Sequence, residues 1–303
     1  MIIRRLANSF ALVCAAIAYD ACAGESALRF MSAGSPTEIT ASVQKPDGGG
    51  PFPAVIIMHD CSGLGPRSSG APARWAKHLL ADGYAVMMPD SFTARGLPDG
   101  VCTAARNLAI AANVYVRSGD AYAALAALRA LPYIDGKRIG IMGGSHGGST
   151  TLAAMVAASD SYAPPDGFIA AIALYPSCSA RYGTWSTVQQ YGSYGPVTGY
   201  AGVYHPLAPL LILTGELDDW TPAEPCRELV ERGRAAGYPL DIRVYARAHH
   251  SFDSDRPVRY IAARNNNSSA NRYGATTGGN AEAWADARQR VNEFFAANLK
   301  TKQ

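Results

Sequence analysis

The sequence predicts an α/β protein with a mostly parallel central sheet and helices on both faces. Two observations carry this. Strand-length apolar runs recur along the chain with helical segments between them, and the loops that follow those runs collect the residues best suited to chemistry. Continuous apolar runs are what strands covered on both faces require, because neither face meets water.

In chain order, residues 1–23 read as a signal peptide. Arg4 and Arg5 precede a largely apolar stretch from Leu6 to Ala18, and Ala21-Cys22-Ala23 supplies the small residues of a cleavage site, with cleavage expected after Ala23. Cys14 and Cys22 lack the leucine and glycine context of lipid attachment. The expected location is therefore periplasmic or secreted, with residues 24–303 as one domain. Removing residues 1–23 takes away two Arg and one Asp, which leaves 25 basic against 23 acidic residues. That balance, with no basic run interleaved with aromatics, argues against a nucleic-acid partner. No other stretch reaches the roughly 18 continuous apolar residues of a membrane span.

Leu28 to Gln44 is expected to form an antiparallel edge, ended by the Pro46-Asp47-Gly48-Gly49-Gly50 turn. Pro53–Met58 and Tyr84–Met88 read as buried strands, with a crossover helix over Ala73–Leu80 between them. Asp120 is expected to cap a helix in which Leu125 and Leu128 fall three apart, leading to a strand over Arg138–Met142. Further strands are expected at Phe168–Leu174, Leu210–Thr214 and Asp241–Tyr245, with a long segment from Tyr175 to Pro209 and a closing amphipathic helix over Ala281–Leu299.

Gly143-Gly144-Ser145-His146-Gly147-Gly148 follows the strand at Arg138–Met142. A serine in a sharp strand-to-helix turn, flanked by glycines that leave room for it, is the local geometry of a hydrolase nucleophile. Gly215-Glu216-Leu217-Asp218-Asp219-Trp220 follows the next long apolar run, and His249-His250-Ser251-Phe252 follows the one after. Serine, acid and histidine in that order, each just past a strand, is the chain order of α/β-hydrolases. A serine hydroxyl needs a neighbouring imidazole to take its proton, and the imidazole needs a carboxylate to hold its tautomer. Ser145, His250 and Asp218 are the expected triad, with Asp219 and His249 as competitors. The backbone N–H groups of His146, at the start of the helix after the serine, and of Cys61 are expected to face the oxyanion.

Cys61, Cys102, Cys178 and Cys226 follow the predicted strands, all at the carboxyl edge of the sheet. The topology favours Cys61–Cys102 and Cys178–Cys226 bridges in an oxidising compartment, against four reduced thiols otherwise. Substrate contacts are expected from His59, Trp220, and the aromatics Tyr182 and Trp185 of the long segment. The alternatives are a loop-bracing His59 and an aromatic cluster that only packs the loop. Asn265 to Ser269 reads as a polar surface excursion whose Asn266 and Asn267 begin nominal glycosylation sequons.

Met58 to Leu64, Gly83 to Phe92, Gly143 to Gly148, Gly215 to Pro222 and Ala248 to Phe252 together resemble the dienelactone hydrolase family of α/β-hydrolases over about Thr37 to Phe295. The resemblance implies Asp218 as the acid of a Gly-x-x-Asp segment, His250 before x-Phe, and Cys61, two residues before Gly63, as the second oxyanion donor. It also marks two departures. Dienelactone-cleaving members carry a cysteine where Ser145 stands and a glutamate where Asp60 stands. The resulting expectation is a serine hydrolase of small carboxylic esters or lactones, with no cofactor and no metal. A peptidase of the prolyl-oligopeptidase type shares the triad order, but no propeller-length extension or obvious acidic pair for a peptide amino terminus accompanies it. A non-catalytic binding module has no need of all three triad residues.

Overall fold

A computed structural model describes residues 21–22, 25–106, 112–157 and 162–300. Nearly all of the segment read as a signal peptide lies outside the described residues. The elements run β1 (Ala21–Cys22), β2 (Glu25–Met31), β3 (Glu38–Gln44), β4 (Phe52–Met58), α1 (Ala71–Ala81), β5 (Ala85–Asp90), α2 (Val114–Arg129), β6 (Ile134–Gly144), α3 (His146–Met155) and β7 (Ala171–Leu174). They continue with β8 (Ser186–Gln189), β9 (Val197–Ala201), β10 (Leu210–Gly215), α4 (Ala223–Ala235), β11 (Leu240–Tyr245), β12 (Arg259–Asn265), β13 (Tyr273–Thr277) and α5 (Ala281–Phe295).

The main sheet has nine strands in the order β1-β2-β3-β5-β4-β6-β7-β10-β11. From β5 to β11 every neighbouring pair is parallel, whereas β1, β2 and β3 form the expected antiparallel edge. Alternation along each strand divides the core in two. In β4, Ala54, Ile56 and Met58 join a cluster with Leu125, Leu128, Leu152 and Leu229, so α2, α3 and α4 cover that face. Val55 and Ile57 point the other way, into a cluster with Trp75, Leu79, Val291 and Phe295 from α1 and α5. Each fully buried Ile, Leu or Phe contributes roughly 1.5–3 kcal/mol to folding, and both faces of β4 collect it.

The helix expected near Leu125 begins earlier than its predicted cap. Asn113 is the N-cap, its Oδ1 accepting from the N–H groups of Tyr115 (2.9 Å) and Val116 (3.2 Å). Asp120 lies inside the helix, fully buried, and accepts two 2.8 Å bonds from Arg95. An aspartate that looks like a cap in sequence is here the buried half of a bidentate ion pair, a distinction local spacing does not reveal. The tract from Asn265 to Ser269 also differs from its reading as a surface excursion. It runs from the last residue of β12 into the turn of the β12–β13 hairpin, and Asn266 is only 2% exposed, its amide donating to the carbonyls of Asp219 (3.0 Å) and Gly274 (2.6 Å).

Strand order reverses between β4 and β6: the chain steps from β4 outward to β5, then returns to the other side of β4 and continues through β7, β10 and β11. A crevice opens at such a reversal beyond the carboxyl ends of the strands. The loops after β4, β6, β10 and β11 all project from that edge.

Candidate active site

Ser145 follows the last residue of β6 and precedes the first of α3, with φ 55° and ψ −117°. A non-glycine residue at positive φ is strained and is held only when its surroundings demand it. The flanking glycines show the demand. A Cβ at Gly147 would lie 1.9 Å from the Met58 carbonyl oxygen, and one at Gly143 would lie 2.5 Å from the backbone of Gly147. The elbow therefore packs backbone against backbone, which pushes the Ser145 side chain out of the turn.

His250 Nε2 stands 2.9 Å from Ser145 Oγ, and His250 Nδ1 stands 2.8 Å from Asp218 Oδ2. The carboxylate accepts the Nδ1–H, which leaves the Nε2 lone pair facing the serine hydroxyl. Asp218 is itself fixed: its Oδ1 accepts from the N–H groups of Trp220 (2.9 Å) and Thr221 (2.8 Å), and the Thr221 hydroxyl reaches its Oδ2 at 2.9 Å. The two competitors are placed elsewhere. Asp219 accepts from the N–H (2.8 Å) and hydroxyl (2.7 Å) of Thr276 and so ties β13 to the acid loop. His249 directs Nδ1 to the carbonyl of Leu217 at 3.0 Å.

Tyr175 and Trp220 both pack against the His250 ring, each with its centroid 4.7 Å away. The histidine loop is anchored by Asp253, which is buried and accepts from Trp75 Nε1 (2.7 Å) and the Tyr175 hydroxyl (2.9 Å). Burial holds the Asp253 carboxyl above its ordinary range, with both hydrogen bonds acting against that shift.

A cavity of about 410 Å³ opens over Ser145 and is walled by Cys61, His146, Tyr182, Trp220 and Asn267. Of the expected substrate contacts, Trp220 and Tyr182 line it. Trp185 does not: it is fully buried, donates from Nε1 to the Cys178 carbonyl at 2.9 Å and stacks on Tyr200. His59 does not line it either. Its ring is fully buried, with Nδ1 2.8 Å from the Asp60 carbonyl and Nε2 accepting from the N–H of Ser91 at 3.2 Å. Both nitrogens are committed to the loop, so His59 braces and does not contact substrate. Asp60 does the same from the other direction, accepting from the Ser62 N–H at 2.7 Å and from the Ser69 hydroxyl. The hairpin wall from Asn265 to Ser268 escaped the sequence reading because its polar, turn-rich composition is also that of a surface loop.

Both expected disulfides are present, Cys61–Cys102 and Cys178–Cys226. Asp60 stands beside the first of them. The cluster of Asp60, Cys61 and Cys102 has no thiolate to offer a metal, because the two sulfurs are bonded to each other.

Arg117 on α2 is a residue the sequence did not single out. It is fully buried, donates to the His59 carbonyl (2.7 Å) and to His146 Nδ1 (2.6 Å), and lies 4.8 Å from the Phe92 ring centroid. Burial lowers it to about 10, with Asp120 and Asp60 opposing that shift, so it remains a cation. His146 is held well below its ordinary value of 6.5 by burial first and by Arg117 second, and His59 likewise. Both rings are neutral in the fold. In the unfolded chain they take up protons as pH falls through about 6.5. The unfolded state then binds more protons than the folded one, so this contribution to stability is complete above that pH and is lost below it. The urea midpoint is expected to fall between pH 7 and pH 5, with a slope of up to about 1.4 kcal/mol per pH unit for each histidine. Replacing His146 with Gln should flatten that slope.

Fold and site together define a serine hydrolase with the α/β-hydrolase architecture. Residues 39–299 match the model of the dienelactone hydrolase family, and the chain belongs to that family. Several solved structures share the fold. A dienelactone hydrolase-like promiscuous phosphotriesterase from metagenomic libraries aligns at TM-score 0.62 and 17% identity, covering 91% of this chain and 99% of that one. Esterase 2 of Thermogutta terrifontis, with propionate bound, aligns at TM-score 0.57 and 15% identity over 90% of this chain and 96% of that one. Dipeptidyl peptidase 4 of Porphyromonas gingivalis aligns at TM-score 0.58 and 22% identity, over 91% of this chain but 36% of the peptidase. No curated protein sequence matches significantly.

Proposed function

We propose that this protein cleaves carboxylic ester or lactone bonds of small substrates through an acyl-enzyme, in the periplasm or after secretion. The observation that carries the chemistry is the continuous relay from Ser145 through His250 to Asp218, opening into a cavity of about 410 Å³. His250 Nε2 takes the Ser145 proton as Oγ attacks the carbonyl carbon, and returns it to the departing alcohol. Water then repeats the sequence on the acyl-serine. The tetrahedral oxygen is stabilised by two backbone donors. His146 opens α3, so its N–H has no intrahelical acceptor, and Cys61 lines the same cavity. The Cys61–Cys102 bridge and the Arg117 contacts with His59 and His146 hold those two segments in register.

A serine here needs base assistance throughout the reaction, unlike a thiolate, and the 2.9 Å approach of His250 supplies it. Two disulfides support an oxidising compartment. The cavity is at the small end of the range for small-molecule sites, with buried Tyr182 in its lining. Against p-nitrophenyl esters of increasing chain length, kcat/KM is expected to drop steeply beyond about four acyl carbons, because each further methylene has to find apolar wall that a cavity of this size lacks. A flat profile to long chains would contradict the small-substrate reading. Faster cleavage of peptide anilides than of esters would turn it toward a peptidase.

A further inference from the structure

The imidazole of His146, the residue after the nucleophile, is set in one tautomer by its neighbour. Arg117 Nη1 lies 2.6 Å from His146 Nδ1. A guanidinium has only N–H groups and no acceptor, so Nδ1 accepts. Burial first and Arg117 second keep the ring neutral, and its single proton therefore sits on Nε2. Arg117 is itself held in place. It is fully buried, its Nη2 donates to the His59 carbonyl at 2.7 Å, and its guanidinium carbon stands 4.8 Å from the Phe92 ring centroid. The His146 ring packs edge to face on the same Phe92, with centroids 5.7 Å apart.

Nε2 has a different setting. Among the described residues it finds no hydrogen-bond partner, yet it is not sealed from solvent as Arg117 Nε and Ser91 Oγ are. His146 lines the cavity over Ser145, together with Val114, Ala180 and Tyr182. An accessible N–H of fixed tautomer thus stands beside the nucleophile. Donation from Arg117 into Nδ1 draws electron density from the ring and strengthens Nε2–H as a donor. A neutral donor among apolar neighbours matches an uncharged oxygen, which loses less on leaving water than an ion does.

We propose that the His146 imidazole is a specificity-determining hydrogen-bond donor that selects esters carrying an uncharged oxygen, ether or hydroxyl, close to the scissile carbonyl. Arg117 is the positioning residue that fixes the tautomer. This role rests on the ester hydrolysis proposed above and narrows its substrates to those with such an oxygen in the acyl or the alcohol part.

The test uses two pairs of esters that differ by a single chain atom. p-Nitrophenyl methoxyacetate has an oxygen where p-nitrophenyl butyrate has a methylene, and 2-methoxyethyl acetate has one where butyl acetate has a methylene. His146→Asn keeps an oxygen for Arg117 and the backbone N–H for the oxyanion, but its shorter side chain withdraws the donor from the position of Nε2. For at least one pair, the oxygen-to-methylene ratio of kcat/KM is expected to fall by about three- to tenfold in this variant. The pair that responds assigns the oxygen to the acyl or the alcohol side. Any effect on the elbow or the oxyanion donor acts on both members of a pair and cancels in the ratio. Unchanged ratios in both pairs, with the esters still cleaved, overturn the proposal and leave the hydrolase reading standing; no cleavage of any of the four by wild type overturns both. Nitrogen-15 spectra of histidine-labelled protein give a readout independent of turnover. The ring resonances lost in His146→Asn are expected to show a protonated Nε2 and a bare Nδ1 in wild type, and a mixture of tautomers in Arg117→Met. A proton on Nδ1 in wild type, or the same signature in both proteins, overturns the role given to Arg117.

Discussion

Ser145→Ala is expected to lower kcat for p-nitrophenyl acetate by roughly 10⁴-fold or more and to abolish covalent labelling by a fluorophosphonate. The hydroxyl is the only atom removed, and the positive φ of residue 145 is imposed by the close backbone packing around Gly143 and Gly147 and not by the side chain. The cavity, the backbone donors and the His250–Asp218 pair stay in place. Residual turnover above water then measures what those donors and binding contribute without a nucleophile. An unchanged melting temperature would show that the elbow is intact, so that the loss is chemical. Retained turnover in a folded Ser145→Ala protein would sink the triad assignment.

The second large effect is expected from a pair of neighbours. Asp218→Asn should reduce kcat by about 10⁴-fold, whereas Asp219→Asn should leave kcat within about tenfold and lower stability by about 1 kcal/mol. The asparagine at 218 keeps the shape, but its amide presents no carboxylate to the Nδ1–H of His250 at 2.8 Å. The ring is then free to adopt the other tautomer, with its proton on Nε2 where the serine needs a lone pair. The Thr221 hydroxyl, 3.0 Å from the same Nδ1, cannot replace the charge that stabilises the imidazolium. Asp219 is exposed, and among the described residues its carboxylate accepts from Thr276, so its loss loosens the hairpin wall and not the proton relay. Comparable losses from the two variants would show that the acid role is shared.

Much of this site was legible in the chain itself. The glycines at 143 and 147 announce a serine elbow because no side chain fits where they stand, a steric requirement confined to a few residues. Apolar runs before Ser145, Asp218 and His250 place all three at the carboxyl edge of one sheet, and both cysteine pairings follow from the same strand order. Legibility failed where a residue's role depends on what packs against it. His59 and Trp185 have the chemistry of substrate contacts, yet each is fully enclosed with its polar atoms committed to backbone partners. Asp120 has the look of a helix cap and is one half of a buried ion pair with Arg95.

The sequence by itself therefore determined the fold class, the nucleophile, the base and the order of the relay. These rest on hydrophobic periodicity and on glycine sterics, which act between near neighbours. Tertiary structure alone decided which of two adjacent aspartates grips the imidazole, how Arg117 joins the loops of His59 and His146, and which nitrogen of the His146 ring keeps its proton. Those outcomes depend on groups brought together from separate segments, such as Ser145 and His250, 105 residues apart, or Arg117 and His59, 58 apart. Side-chain identity states what a group can do, and only the packing of distant segments states what it meets.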